Sequence, residues 1–134
     1  MRIVVDTGVF SAAISRRRRE RFETQIALMA GNQVFLAAFT VSELRYGALV
    51  AGWGTSRRQR LEHSIQATTV VPVTDRLPTS VAELRLACRQ LGHPLHARFH
   101  ANDLWIAASA VHIGAPFLTA DTVFADTPGL ALLQ

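Results

Sequence analysis

The chain is predicted to fold as an α/β domain, a three-layer α/β/α sandwich around a mainly parallel sheet of four to five strands. Three observations carry that expectation. Short apolar, β-branched runs alternate with longer segments of helical period along the whole chain. Strands separated in this way pair in parallel, because each parallel neighbour needs a crossover, and the crossover helices then cover both faces of the sheet. Finally, 134 residues with 49% hydrophobic and 18% charged side chains suit one globular domain spanning 1–134.

Ile3 to Val5 form the first expected strand. Helical periodicity follows over residues 8–14 and about 18–30, ending at the stop signal Gly31-Asn32. Val34-Phe35-Leu36-Ala37 is the second strand, and Val41, Leu44, Ala48 and Ala51 share one face of the next helix, about 41–51. After Gly52-Trp53-Gly54 a basic helix is expected over about 56–67. Thr69 to Val73 is a third strand, with Pro72 marking a sheet edge or the strand's end. The spacing Leu77, Val81, Leu84, Cys88, Leu91 is a helical stripe, closed by Gly92-His93-Pro94. Residues 102–113 make a further apolar helix, Pro116 to Thr119 a fourth strand, and Leu130 to Leu133 a short fifth.

Composition removes several functions. No run of 18 apolar residues could span a bilayer, and the N-terminus offers no signal-peptide h-region, so the expected setting is the cytoplasm without a membrane partner. Cys88 is the sole cysteine, which forbids an intrachain disulfide and argues against a cysteine-based zinc site. All 14 basic residues are arginine; without lysine, neither a phosphate-binding P-loop nor the sites of receiver domains and haloacid-dehalogenase-like phosphatases can be completed. The net charge of +4 suits a polyanion or an acidic protein partner.

The acids at the strand ends carry the chemistry. Each has a structural explanation of its own: Asp6 and Asp121 as caps of the helices after strands one and four, Glu43 in a capping box with Thr40, Asp103 as a first-turn acid behind an Asn102 cap. Their joint position says more. Asp6 and Asp121 directly follow strands, Glu43 lies at the start of the helix leaving strand two, and Asp103 opens a helix that runs back antiparallel to its strand. All four therefore meet at the carboxyl edge of the sheet, where α/β folds place their ligands. Gathered carboxylates repel one another unless a cation is present, and carboxylate-only donors select hard ions such as Mg²⁺ or Mn²⁺.

The segments IVVDTGVFSA, TVSELRYGAL, HANDLWIAASA and FLTADTVFA resemble, in order and at the expected spacings, the four motifs of PIN-domain ribonucleases, and more closely the VapC-type toxins of toxin–antitoxin systems. The resemblance covers essentially the whole chain. It implies a PIN-like fold, with Asp6, Glu43, Asp103 and Asp121 as catalytic and metal-binding residues and Thr119 supporting the fourth acid. It further implies Mg²⁺- or Mn²⁺-dependent endonucleolytic cleavage of RNA, a cognate antitoxin and a homodimer. Two other readings are a catalytically weak nucleic-acid or partner-binding domain and a structure-specific DNA nuclease.

The arginines Arg16, Arg17, Arg18 and Arg19, with Arg21, and Arg57, Arg58 and Arg60 are candidates for contacts with RNA phosphates or with an antitoxin. A solvated helix face braced by Arg16–Glu20 and Arg19–Glu23 pairs explains the first group equally well. His93, His96 and His100 form an H-x₂-H-x₃-H run, but Pro94 interrupts it, no helix frames it and no cysteine completes a zinc site. Asp126 is read as a cap or surface acid, Cys88 as core, Trp105 as packing or a dimer surface, and Trp53 as exposed and able to stack on a base or partner.

Overall fold

Alternation along the strands decides how the layers assemble. The computed structural model describes residues 1–134 and contains β1 (Arg2–Val5), β2 (Gln33–Leu36), β3 (Thr69–Val70) and β4 (Phe117–Leu118), ordered β3-β2-β1-β4 with every neighbour parallel. Val4 lies opposite Phe35 on one side and Phe117 on the other. Because side chains alternate across a sheet, Val4, Phe35 and Phe117 point to one face, while Ile3, Val5, Leu36 and Leu118 point to the other. The first face is covered by α5 (Leu77–Leu91) and α6 (Ala101–Ile113). The second packs on α1 (Thr7–Ala13), α3 (Ala38–Val50) and α4 (Thr55–Gln66), with α2 (Glu23–Met29) contributing Ile26, Leu28 and Met29. The expected α/β/α sandwich is thus present, and no helix is long and apolar enough to cross a membrane.

Several boundaries differ from the sequence expectation for local reasons. The helix expected over 18–30 is split: a 3₁₀ turn occupies Arg19–Phe22 and α2 begins only at Glu23. Neither Arg16–Glu20 nor Arg19–Glu23 forms an ion pair, and Arg19 donates instead to the Ala13 carbonyl at 2.8 Å. The second strand ends at Leu36, so Ala37 in extended conformation caps α3 and the helix starts three residues before Val41. The Thr40–Glu43 capping box is therefore absent, and Thr40 is a fully buried residue inside α3. Likewise His100, not Asn102, stands at the cap position of α6. The third strand shrinks to two residues at the sheet edge; Val71 N still donates to Leu36 O at 2.8 Å, and Pro72, lacking an N–H, ends the ladder. The expected fifth strand is a single parallel bridge between Phe117 and Leu132. On α5 the stripe is buried through Cys88, but Leu91 is exposed beside the left-handed Gly92 (φ 69) that ends the helix.

The histidine run resolves into separate structural parts. His93 is buried: its Nδ1 accepts from Leu95 N at 3.2 Å, so its Nε2 carries the proton and donates to Ala125 O at 2.8 Å, with the Thr127 hydroxyl 3.3 Å away. It straps the turn after α5 to the loop that follows β4. Asp126 sits in that loop, exposed and in left-handed conformation (φ 59), which aspartate tolerates better than most residues. His93→Ala leaves a buried N–H and a carbonyl unpaired and is expected to lower unfolding free energy by about 2–4 kcal/mol, against less than about 1 kcal/mol for His96→Ala. Urea melts of the two variants measure the contrast; equal losses would show that the strap is not a stabilising element.

Candidate active site

The end of β1 determines the centre of the site. Asp6 N donates to Leu118 O at 2.9 Å, the last rung between β1 and β4, and the chain then turns directly into α1. The Asp6 side chain, with the residue only 9% exposed, is held by two donors: Thr7 N to Oδ1 at 2.8 Å and the Thr119 hydroxyl to Oδ2 at 2.7 Å. Thr119 Oγ1 also accepts Asp121 N at 3.0 Å, so one hydroxyl joins the first acid to the segment bearing the fourth. Asp121 in turn caps the 3₁₀ turn Thr122–Phe124, its Oδ1 accepting Val123 N at 2.9 Å. Asp6 and Asp121 thus both make the capping contacts expected of them.

Thr7, which the sequence reading did not single out, performs the corresponding task for Glu43. Its hydroxyl lies 2.9 Å from Glu43 Oε1 and 3.0 Å from the Thr40 hydroxyl. With one proton to give, Thr7 donates to the carboxylate and accepts from Thr40. Asp103, in the first turn of α6 and half-buried, pairs with His100 Nδ1 at 3.2 Å through Oδ2. The local signals for both partners were a hydroxyl directly after the first acid and a histidine three residues before the third, which places it on the same helical face.

Burial pushes the Asp6 carboxyl up from 3.8 to about 6; the hydrogen bonds from Thr119 and Thr7 pull it down, and the neighbouring Asp103 and Asp121 charges raise it again. Asp6, Asp103 and Asp121 therefore share one electrostatic site, and Glu43 joins it through Thr7. No three His, Cys, Asp or Glu side chains stand close enough, as placed, to hold a metal ion. The donor chemistry nonetheless fits one: the acids offer only oxygen donors, and a buried carboxylate beside two others is what a hard cation offsets.

A groove of about 1090 Å³ opens beside Thr7 and Glu43, between α1, α3 and α4. Ile14, Leu44 and Leu61 lie along it, and Arg16, Arg17, Arg18, Arg57 and Arg60 rim it. Arg58 is not part of it and faces the other side of α4 near Glu62, which is held by Arg45 at 2.8 Å. Arg19, tied to Ala13, is also outside it. Trp53 lines the groove but is half-buried, with the Arg57 guanidinium 3.9 Å over its ring, so it is not the free face expected from its flanking glycines. Trp105 packs on Phe39, ring centres 5.0 Å apart.

The PIN domain family model matches residues 3–130. The chain belongs to the PIN-domain family. It is 33% identical over 133 residues to Ribonuclease VapC5 of Mycobacterium tuberculosis, a match covering 98% of this chain and 91% of that protein. Among solved structures, the fold resembles that of a chain in VapBC2 from Rickettsia felis bound to a promoter DNA fragment, with a TM-score of 0.79 at 21% identity over 99% of this chain and 98% of the other. VapBC-5 of Mycobacterium tuberculosis, a member of the VapBC family of toxin–antitoxin systems, aligns at 31% identity with a TM-score of 0.64, covering 97% and 93%.

The raised Asp6 pKa has a consequence for stability. The unfolded carboxyl ionises near 3.8 and the folded one near 6, so the fold is favoured by Asp6 below about pH 4 and loses that contribution as pH rises through 6. In metal-free protein, Asp6→Asn is expected to be neutral near pH 4 and stabilising by up to about 3 kcal/mol at pH 7 to 8. Denaturant melts at the two pH values in chelator decide it; a difference independent of pH would contradict the burial of an ionised Asp6.

Proposed function

We propose that this chain is a divalent-metal-dependent endoribonuclease and the toxin of a toxin–antitoxin pair, with Asp6, Glu43, Asp103 and Asp121 as its catalytic and metal-holding residues. The observation that carries the reading is the position of Asp6 at the carboxyl end of β1, buried and tied to Thr119, with its carboxyl raised chiefly by that burial and further by the nearby Asp103 and Asp121 charges. A fold with no use for a cation has no reason to retain that repulsion at a sheet edge. The ribonuclease and toxin–antitoxin names of the relatives agree with it.

In this reading Asp6 and Asp103 hold the principal ion, Mg²⁺ or Mn²⁺, and Asp121 and Glu43 complete the site or orient the attacking water. An ion held by these carboxylates would supply charge neutralisation for the phosphate, activation of water and stabilisation of the leaving oxygen. Thr119 and Thr7 keep the Asp6 and Glu43 oxygens aimed, as outer hydrogen-bond partners do for ligating carboxylates. Arg16, Arg17, Arg18 and Arg57 surround the approach to an acidic centre with positive charge, which offsets its repulsion of an RNA backbone. The same groove, apolar inside and basic at its rim, suits the antitoxin; a segment seated in it next to Glu43 covers the acids.

Asp6→Asn and Asp103→Asn are each expected to reduce Mg²⁺-dependent cleavage of total RNA at least about 100-fold without changing the circular dichroism spectrum. Thr119→Val should cost about 10- to 100-fold, part of it recovered at higher Mg²⁺. Mapping of new 5′ ends, with Mg²⁺ and with chelator, is the readout. Wild-type rates in both acid variants would remove the assignment.

A further inference from the structure

Phe99 is the least explained side chain in the molecule. It is 89% exposed, more than any other large apolar residue. Nothing in the chain covers it, although a phenyl ring gains from leaving water. Its position is nonetheless fixed: it sits in the 3₁₀ turn Arg98–His100, closed by His100 N donating to Ala97 O at 3.0 Å, and this turn runs directly into α6. The ring meets the imidazole of His100 edge to face, centres 4.9 Å apart and planes at 83°. That same imidazole pairs with Asp103. Two contacts therefore link the exposed ring to an acid of the site.

We propose that Phe99 is a stacking platform for an unpaired nucleobase next to the scissile phosphate. The proposal rests on the endoribonuclease reading of the four acids. The surroundings favour a base over a protein side chain. Residues 97–102 read Ala-Arg-Phe-His-Ala-Asn, so within this turn Phe99 is the one large apolar group, flanked by a charge and an imidazole. A base needs only one π-face, and stacking on it tolerates any base. The exposed Arg98 beside it supplies positive charge for the adjoining phosphate. Bases in a duplex cannot lie on such a ring without being splayed out, so the base it takes is an unpaired one. Trp53 cannot take this part, because Arg57 already lies over its ring.

The test uses the full chain as wild type, Phe99→Leu and Phe99→Trp. Wild-type cleavage in Mg²⁺ first maps the cut site and tests the ribonuclease reading by itself. Binding is then measured by fluorescence anisotropy in chelator, using a short single-stranded oligoribonucleotide spanning that site and versions with an abasic nucleotide at each position in turn. Phe99→Leu, which keeps an apolar side chain but removes the π-face, is expected to weaken binding about 5- to 150-fold, the range given by stacking of one base. Phe99→Trp should bind close to wild type. One abasic position should abolish the difference between wild type and Phe99→Leu. Equal affinity of wild type and Phe99→Leu, or the same loss on every abasic oligonucleotide, overturns the proposal while leaving the nuclease reading intact. A Phe99→Leu variant with unchanged RNA affinity but a smaller mass by light scattering also overturns it, and assigns the ring to a contact between copies. A wild-type chain that neither binds nor cuts RNA removes both readings together.

Discussion

The hydrogen bond from Thr119 to Asp6, 2.7 Å long and spanning 113 residues of sequence, closes the carboxyl edge of the sheet. Asp6 is buried, and a buried carboxylate without donors would destabilise the fold by several kcal/mol. Thr119 and the Thr7 amide supply those donors. Because the Thr119 hydroxyl also accepts Asp121 N, the exits of β1 and β4 are joined at one oxygen atom. The geometry of the acids follows from how this one charge is accommodated.

The rest of the site is arranged outward from that point by side chains of modest chemistry. Thr7 connects the start of α1 to Thr40 and Glu43 on α3; His100 holds Asp103 at the start of α6; His93 straps the loop after Asp121 to the turn after α5. None of these residues donates electrons or protons to a substrate in the proposed reaction. Their effect is to restrict the rotamers and loops that carry Asp6, Glu43, Asp103 and Asp121. An arginine-only complement of bases fits the same economy of design, because guanidinium groups remain charged beside acids and bind phosphate in a fixed fork.

The layer order and most elements were legible because they depend on local pattern. The continuous apolar runs Ile3-Val4-Val5 and Phe35-Leu36 and the period of 3.6 in Leu77, Val81, Leu84 and Cys88 all matched buried positions. What failed depended on specific side-chain and backbone partners that a periodic pattern does not name. A capping box at Thr40 was a sound local motif, but the strand before it stops at Leu36 and Thr40 is needed by Thr7. The arginine-rich stretch satisfied i,i+4 pairing on paper, yet Arg19 found a backbone carbonyl and the helix broke. Trp53 between two glycines suggested exposure, until Arg57 from the following helix covered it.

By itself, the sequence determined that Asp6, Glu43, Asp103 and Asp121 would gather at one edge, because strand direction and parallel pairing leave no other place for residues that end strands or begin returning helices. It also determined a basic chain without lysine or disulfides. Tertiary structure decided which hydroxyl and imidazole groups hold those acids, which arginines share a groove with Glu43, and which aromatic ring stays in water. The physical reason is range: period and propensity act over a few residues, which reaches from His100 to Asp103, whereas the bonds from Thr7 to α3 and from Thr119 to Asp6 join atoms 33 to 113 residues apart.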